Sequence, residues 1–399
     1  MKTMNRIAMG IALAVFATGC AQPTNPRQMP KANTFGTAKA KTMVQKTEIL
    51  VPKADILFVI DDSESMATHQ ETLKANIDRF VSGFGQNHQL DFQIGVVSVF
   101  DSKRYGSVVT EFYPKGKLRP LLDASRNPLK GASFVTRAEG FVEVLGETLK
   151  IGVTPRFKKD EKGNILRDAK RNKIDGGGPE YEEIFSPMLA AVDGRNPGFI
   201  RPDAHLAVII ITDAEDSTPE MDPSDAYTEL LKAKGGNSEM VSTYGILALK
   251  GCEADPGIKD AGQVEPIKII DFLTEAGGAG FSLCDKDYGT KLESVGQQIQ
   301  EKAGKDLVIS LPSKPDWCAA VDATEVQLKA QPCIPLTVFF KNAKGEEEVL
   351  EGWKYDSGNN AIFIRAEILE KIDSGAVRYE YTAINGKLIG TKYVVPYYN

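Results

Sequence analysis

Residues 56–66 read ILFVIDDSESM, and this stretch decides the fold class of the chain. Residues 56–60 form an unbroken apolar run that favours a strand buried on both faces. Residues 61–65 follow directly and carry only oxygen-bearing side chains. A second apolar run, residues 206–211, also ends in polar residues, Thr212 and Asp213. Two buried strands that each end in polar side chains predict a sheet with a polar site along one edge.

Strands alternate with helices on both sides of this stretch. Apolar residues recur at helical spacing in residues 73–84, 141–149, 184–192, 267–273 and 292–299, whereas residues 92–99 and 241–249 favour strands. This alternation predicts an α/β domain over residues 51–308, a doubly wound and mostly parallel sheet flanked by helices. Ligand sites in such sheets lie at the carboxyl ends of the strands.

The last part of the chain has a different pattern. Residues 336–340, 361–364 and 377–381 favour short strands. Asn385-Gly386, between two strand-like runs, is a strong hairpin signal. We therefore expect a small, mostly β domain over residues 309–399.

Residues 1–20 have the pattern of an export signal. Two basic residues accompany an apolar run of 13 residues, which as a helix of about 20 Å is too short to span a membrane. The run ends Ala17-Thr18-Gly19-Cys20, which resembles the lipobox of bacterial lipoprotein precursors, although Leu is usual at position 17. The resemblance implies that Cys20 is lipidated. An ordinary cleaved signal is the alternative.

Residues 21–50 contain several prolines and lysines and no apolar periodicity, which predicts a flexible tether. Ala21 follows Cys20, and the sorting rule of the lipoproteins that this segment resembles then implies the outer membrane. We expect a lipid-anchored protein of the outer membrane that faces the periplasm or the cell surface.

The composition of the chain argues against some classes of function. Its 399 residues carry a net charge of −6, with 42% hydrophobic and 26% charged residues. These values are typical of a soluble globular protein, and they lack the basic excess of nucleic-acid-binding proteins. The chain has 3 histidines and none of the His-Glu-x-x-His, Gly-x-Ser-x-Gly or Gly-x-x-x-x-Gly-Lys motifs. We therefore expect neither nucleic-acid binding nor catalysis.

Four cysteines follow Cys20, namely Cys252, Cys284, Cys318 and Cys333. An even number of cysteines in an exported chain predicts two disulfides, for which three pairings exist. The sequence alone does not choose among the three, although two pairs that each stay within one domain are the economical arrangement.

The polar side chains after the two buried strands suit a divalent cation. Asp61, Ser63 and Ser65 occupy alternate positions after the first strand, and Asp213 follows the second. One carboxylate and two hydroxyls supply hard oxygen ligands, and Mg²⁺ keeps waters that a partner's oxygen can replace. The alternative is a turn and a helix N-cap. Two acid-bearing strand ends in one sheet favour the metal site.

Residues 58–66 resemble the Asp-x-Ser-x-Ser signature of von Willebrand factor A-type domains, their metal-ion-dependent adhesion site (MIDAS). Thr212-Asp213 is similar to the Thr-Asp pair at the end of the fourth strand of that family. The match covers about residues 51–305. It implies that Asp61, Ser63, Ser65 and Asp213 bind Mg²⁺ or Ca²⁺ directly or through water.

The sequence departs from this family at one ligand. The family supplies a threonine at the start of a helix between the two loops, where this chain has residues 176–180, Gly-Gly-Gly-Pro-Glu. Glu180 is a candidate substitute, which would give three carboxylates and a preference nearer Ca²⁺. The alternative is that Glu180 only caps the following helix, where acids are favoured.

The same resemblance places the strands that end near Cys252 and Cys284 side by side. Because neighbouring strands lie about 4.8 Å apart, a disulfide between them is sterically reasonable. We therefore predict the pairs Cys252–Cys284 and Cys318–Cys333.

Residues 154–179 are basic, with eight Lys or Arg residues against four acids. Such a run is usually a solvated face, here a hairpin about Gly163-Asn164. Its position beside the metal edge also suits a specificity loop.

These observations lead to two main hypotheses of function, beside a third, a hydrolase whose site carries none of the motifs named above. The first is an envelope-anchored adhesion or assembly module that binds an acidic group of a protein partner through the metal. The second is a structural scaffold of the cell envelope that needs no metal. Metal-dependent binding of a partner distinguishes them.

Overall fold

The computed structural model describes residues 48–85, 90–105, 115–131, 133–138, 140–252, 265–285, 288–316, 334–342, 344–372, 376–385, 387–390 and 393–396. The predicted signal segment, most of the predicted tether, Cys20, Cys318 and Cys333 lie outside these residues. Within them, no helix is both long enough and apolar enough to cross a membrane.

A six-stranded sheet forms the centre of the first part of the chain. After a short strand β1 (Glu48–Leu50), its strands are β2 (Lys53–Ile60), β3 (Asp91–Ser98), β4 (Val135–Thr136), β5 (His205–Thr212), β6 (Val241–Leu247) and β7 (Ala279–Ser282). Their order across the sheet is β4-β3-β2-β5-β6-β7, and every neighbouring pair is parallel except β3 with β4. This arrangement confirms the predicted α/β fold class.

Helices cover both faces of the sheet. They are α1 (Ala67–Gly85), α2 (Ser102–Tyr105), α3 (Phe141–Leu149), α4 (Phe185–Val192), α5 (Pro223–Lys232), α6 (Ile267–Glu275) and α7 (Tyr288–Lys305). Ile56 and Phe58 of β2 pack with α1, α3 and α7, whereas Leu57 and Val59 pack with α4, α5 and α6. Successive side chains of a strand point to opposite faces, so a strand between two helical layers has to be apolar throughout.

The chain changes direction in the sheet at β2. β3 lies on one side of β2, and β5 lies on the other. The carboxyl ends of β2 and β5 therefore flank the topological switch point, which is where open α/β sheets bind ligands. Both polar loops found in the sequence begin at this point.

The C-terminal region consists of two smaller sheets. Its elements are β8 (Leu307–Ser310), β9 (Thr337–Lys341), β10 (Glu347–Val349), β11 (Lys354–Asp356), β12 (Ala361–Ile364), α8 (Ala366–Leu369), β13 (Val377–Thr382), β14 (Leu388–Gly390) and β15 (Val394–Pro396). One sheet has the order β11-β12-β8, and the other has the order β1-β15-β13-β9-β10 with β14 paired to β13. The β13–β14 pair is the hairpin predicted from the Asn-Gly signal.

Two strands of this region begin where the sequence predicted other segments. β8 starts at Leu307, before the expected boundary at residue 309, and pairs antiparallel with β12. β1 lies within the expected tether of residues 21–50 and pairs in parallel with β15. Pairings between residues so far apart in sequence leave no local signal.

The predicted disulfide between Cys252 and Cys284 is present. It joins the segments that follow β6 and β7, two neighbouring parallel strands. The Cα atoms lie 5.5 Å apart, which is the usual separation across a disulfide. The bond ties the edge strand β7 to β6 at the carboxyl ends of the strands, the edge of the sheet where the two polar loops also begin.

A buried ionic network lies beneath the amino ends of the central strands. Asp55 of β2 and Lys234, which follows α5, are both fully buried. Lys234 Nζ donates to Asp55 Oδ2 at 3.2 Å and to the Arg201 carbonyl oxygen at 2.6 Å. Arg201 Nε donates to Asp55 Oδ1 at 2.8 Å. The network ties β2 to the connection that leads into β5 and to the connection between α5 and β6.

His205 is a buried titratable group at the amino end of β5. It is 6% exposed, and its Nε2 lies 2.9 Å from Ser242 Oγ. Burial, together with the positive charges of Lys302 and Lys234, lowers the pKa of His205 from 6.5 to about 3. The folded state therefore keeps this imidazole neutral at pH values where an unfolded chain protonates it.

His205→Gln is expected to reduce the acid sensitivity of the fold. Between pH 6.5 and about 3 the unfolded state binds a proton at His205 that the folded state does not bind. The stability that wild type draws from a neutral His205 is present above pH 6.5 and is lost as pH falls, by at most about 1.4 kcal/mol per pH unit. Urea unfolding at several pH values should show a shallower loss in the variant. Parallel curves for both proteins would contradict this assignment.

Candidate metal centre

The loop after β2 brings together three of the four oxygen ligands that the sequence predicted. Asp61 is fully buried, Ser63 follows it, and Ser65 lies within the short 3-10 turn Glu64–Met66 that leads into α1. Asp61 Oδ1 accepts a hydrogen bond from the Ser63 backbone N–H at 2.7 Å. Gln70 Nε2 of α1 donates to the Asp61 carbonyl oxygen at 2.7 Å. These bonds hold the loop in one conformation.

Asp213 joins this group from the end of β5. Ser63 Oγ and Ser65 Oγ lie 3.0 Å apart, and Ser65 Oγ donates to Asp213 Oδ1 at 3.1 Å. Thr212 Oγ1 donates to Asp61 Oδ2 at 2.7 Å. The structure therefore brings all four predicted ligand residues to one place at the switch point, and it gives Thr212 a supporting role.

The spacing of these oxygens fits a small hard cation. Neighbouring ligands in an octahedron with metal–oxygen distances near 2.1 Å are about 3.0 Å apart. Ser63 Oγ, Ser65 Oγ and Asp213 Oδ1 have successive separations of 3.0 and 3.1 Å. Within the described residues, no group of three His, Cys, Asp or Glu side chains is arranged to hold a metal ion. The candidate site is thus a mixed set of carboxylates and hydroxyls.

Glu180 does not join this group. Its carboxylate forms an ion pair with Arg156 at 2.5 Å, and its backbone N–H donates to Asp101 Oδ2 at 2.9 Å. The side chain is 39% exposed. It does not cap a helix either, because α4 begins only at Phe185. The ligand role considered for Glu180 has no support in this geometry.

Glu182 of the same segment interacts electrostatically with carboxylates of the loops after β2 and β5. Burial raises its pKa to about 8, and the negative charges of Asp61, Asp213 and Asp101 add to this shift. The sequence analysis missed Glu182 because it assigned the position of the family's threonine to residues 176–180. The apolar spacing of residues 184–192 was the available signal, because it places the start of α4 well after residues 176–180 and nearer to Glu182.

The loop after β5 fixes the position of Glu182. Asp216 Oδ1 accepts hydrogen bonds from the backbone N–H groups of Ile184 and Phe185, at 2.8 and 3.0 Å, and so caps α4. The Ser217 backbone N–H donates to the Glu182 carbonyl oxygen at 2.9 Å. The segment that bears Glu182 is therefore attached to the loop that bears Asp213.

The carboxylates crowd one another in this site. Burial raises the pKa of Asp61, while hydrogen bonds from Thr212 and Ser63 oppose that shift. Burial also raises the pKa of Asp62 to about 7, and the positive charge of Arg119 opposes it. Several carboxylates out of water and close together favour a bound cation, because a cation compensates charge that the protein alone does not.

The basic segment, residues 154–179, lies against the metal loop. The Thr154 backbone N–H donates to the Asp62 carbonyl oxygen at 2.8 Å, and Lys159 forms an ion pair with Glu64. The chain turns at residues 160–164, as predicted, and turns again at residues 168–172. The basic segment is therefore a double turn beside the candidate metal centre.

Comparisons with known proteins gave distant structural neighbours. No protein-family model and no curated protein matches the sequence. Among solved structures, the chain is similar to proximal thread matrix protein 1 from the mussel byssus, with 14% identity, 66% of this chain and 51% of that chain covered, and a TM-score of 0.35. For the same mussel protein with a zinc-occupied MIDAS motif, the identity is 15%, the coverage 68% and 52%, and the TM-score 0.32.

The chain spans about half the length of these mussel proteins. Because both TM-scores are low, the fold class rests on the order and direction of the strands described above.

Proposed function

We propose that the protein holds one divalent cation between the loops after β2 and β5, and that it binds an acidic group of a partner protein through that cation. The observation that carries this proposal is the spacing of Ser63 Oγ, Ser65 Oγ and Asp213 Oδ1, at 3.0 and 3.1 Å. Hydroxyls and a few carboxylates leave net positive charge on the cation, so it attracts a further carboxylate.

Each residue of the site has a distinct role in this proposal. Ser63, Ser65 and Asp213 hold the cation, and Asp61 supports them because both of its carboxylate oxygens already accept hydrogen bonds. Glu182, rather than Glu180, is the further acid near the loops, at the place where the domains that this chain resembles have a threonine, and a bound cation would favour its charged form. The cation is Mg²⁺ or Ca²⁺, since both prefer oxygen ligands.

The biological role that fits this site is adhesion or assembly in a bacterial envelope. Lipidation of Cys20 would hold the chain to the outer membrane, and the tether would extend the folded part from the membrane surface toward the periplasm or the exterior. The protein acts by binding and has no catalytic step in this proposal.

A metal-independent scaffold is the second candidate function. One observation favours it: Ser65 donates to Asp213, and Thr212 donates to Asp61, so the loops are connected without a cation. In that case partner binding would not depend on a metal.

Partner capture from an envelope extract separates the two functions. We expect the wild-type chain to retain a partner with Mg²⁺ or Ca²⁺ present and to release it in chelator. A Ser65→Ala/Asp213→Asn variant should retain nothing in either buffer, whereas Glu180→Gln should behave as wild type. A partner retained equally in chelator, and by the double variant, would support the scaffold and exclude the metal-dependent function.

A further inference from the structure

A cleft between α2 and the basic segment carries an excess of cationic side chains. It has a volume of about 420 Å³, and we call it the basic cleft. Its cations are Lys103 and Arg104 of α2 and Arg156 and Lys173 of the basic segment. Neither the hydroxyls nor the carboxylates of the metal centre contribute to it.

Two of the four cations are already compensated. Arg104 forms an ion pair with Asp175 and donates to the Gly178 carbonyl oxygen at 2.5 Å. Arg156 forms its ion pair with Glu180. These arginines shape the walls of the cleft and contribute little net charge.

The two lysines are held in a different way. Lys103 Nζ lies 3.7 Å from the centre of the Tyr181 ring, and Lys173 Nζ lies 4.6 Å from the centre of the Phe157 ring. No ion pair of either lysine is found in the described part of the chain. An aromatic face positions an ammonium group without neutralising it, so both lysines keep a full charge for an external anion.

The buried acid at the base of the cleft does not offset these charges. Asp101 is fully buried, and its carboxylate accepts hydrogen bonds from the backbone N–H groups of Arg104, Glu180 and Tyr181. Its negative charge is thus distributed over three donors beneath the surface. The accessible charge of the cleft is positive on a chain whose net charge is −6.

The cleft is preformed and borders the candidate metal centre. Backbone pairing of Phe157 with Asp175 and of Arg167 with Lys173 holds the basic segment in shape. A Cβ atom on Gly176 would overlap the carbonyl oxygen of Pro155, so the strands of the segment run in close contact. Asp101 lies just beyond the carboxyl end of β3, at the same edge of the sheet as the metal loops.

We propose that the basic cleft is a second docking site, which binds an acidic peptide segment of the protein whose carboxylate is held at the metal. This inference rests on the proposed function for the identity of the partner, but the cleft itself needs no cation. Two uncompensated ammonium groups, one beside the exposed ring of Tyr181 and one beside the half-buried ring of Phe157, fit Asp or Glu side chains on an extended peptide, with the rings contacting the peptide's apolar atoms.

Fluorescence anisotropy with a labelled deca-glutamate peptide tests this site on the full chain. In chelator and at low ionic strength we expect measurable binding, which a Lys103→Glu/Lys173→Glu variant weakens by about tenfold or more. A Lys354→Glu/Lys371→Glu variant makes the same change of net charge on exposed lysines of the C-terminal region and should stay within about twofold of wild type. The Lys103→Gln/Lys173→Gln variant controls for misfolding of the charge-reversed variant. It removes both charges without reversing them, and its thermal midpoint should equal that of wild type.

Several outcomes would overturn the proposal. If the Lys354/Lys371 variant weakened peptide binding as much as the Lys103/Lys173 variant, the effect would be one of net charge and not of the cleft. If peptide binding required Mg²⁺, the peptide would be bound by the metal alone. A third outcome is that the peptide does not bind, whereas phosphatidylglycerol vesicles bind and lose binding when Lys103 and Lys173 are replaced. That outcome would assign the cleft to a membrane surface. Peptide binding in chelator that depends on these lysines supports the cleft even if no cation binds to the chain.

Discussion

Replacing Asp55 by alanine is expected to lower the free energy of unfolding by about 3–5 kcal/mol, because it leaves Lys234 buried without its countercharge. Both side chains are fully buried, and Lys234 Nζ lies 3.2 Å from Asp55 Oδ2. Burial raises the pKa of Asp55 and lowers the pKa of Lys234, and the charge of each group opposes the shift of the other. Removing one partner removes that compensation.

Urea unfolding would measure this loss. The slope of the free energy of unfolding against urea concentration should be the same in the variant and in wild type. Asp91→Ala is the matched control, because Asp91 also pairs with Arg201, at 2.8 Å, but its side chain is 48% exposed. An exposed pair of this kind contributes about 1 kcal/mol or less. The double variant Asp55→Ala/Lys234→Met should recover much of the loss, since it leaves no isolated charge. A single Asp55 variant no less stable than Asp91→Ala would contradict the argument.

Mg²⁺ or Ca²⁺ is expected to raise the thermal midpoint of the wild-type chain, and Asp61→Ala is expected to abolish the rise. A ligand that binds only the folded state stabilises it by about 2.7 kcal/mol at 100 times its dissociation constant. For a protein of this size that corresponds to a shift of about 3–5 °C. Asp61 organises the loop through Ser63 and Thr212, so its loss disturbs every ligand in the loop.

Two comparisons between variants make this prediction specific, Asp61→Ala with Glu64→Ala and Glu182→Gln with Glu180→Gln. Glu64→Ala removes an exposed acid of the same loop, one that pairs with Lys159, and should keep the metal response. Glu182→Gln should weaken the response, whereas Glu180→Gln, which only breaks the pair with Arg156, should not. If Glu180→Gln weakened the metal response and Glu182→Gln did not, Glu180 would be the ligand. Calorimetry that detects no Mg²⁺, Ca²⁺ or Mn²⁺ binding at millimolar concentration would exclude the metal centre.

The sequence was informative where structure depends on local chemistry. Asp61, Ser63, Ser65 and Asp213 could be grouped because a buried parallel strand has a recognisable apolar pattern and its carboxyl end has a known location in the fold. The alternation of such strands with amphipathic helices also predicted the α/β class. In these cases each residue could be interpreted from its immediate neighbours.

The features that the sequence did not reveal depend on distant partners. Lys234 follows a helix and has no local mark of burial, yet its countercharge Asp55 lies 179 residues earlier. Glu182 precedes α4, whose start is capped by Asp216 from the loop after β5. The pairing of β1 with β15 joins the two ends of the described chain. Such pairings depend on the completed fold, so no window of sequence contains them.

The connection from β1 to β2 also determines how the molecule would carry a mechanical load. Only residues 51 and 52 separate the two strands, so a pull applied before β1 first loads the pairing of β1 with β15 and then passes directly into β2. A partner bound beside Asp61 would pull on the opposite end of the same strand. Because β3 and β5 flank β2 in parallel, this tension acts on the hydrogen bonds of both neighbours in shear, and they must fail together rather than one at a time. Resistance to such a force is set by the rate of unfolding rather than by equilibrium stability. A molecule held at its N-terminal side and loaded at the metal edge would bear the tension along its central strand.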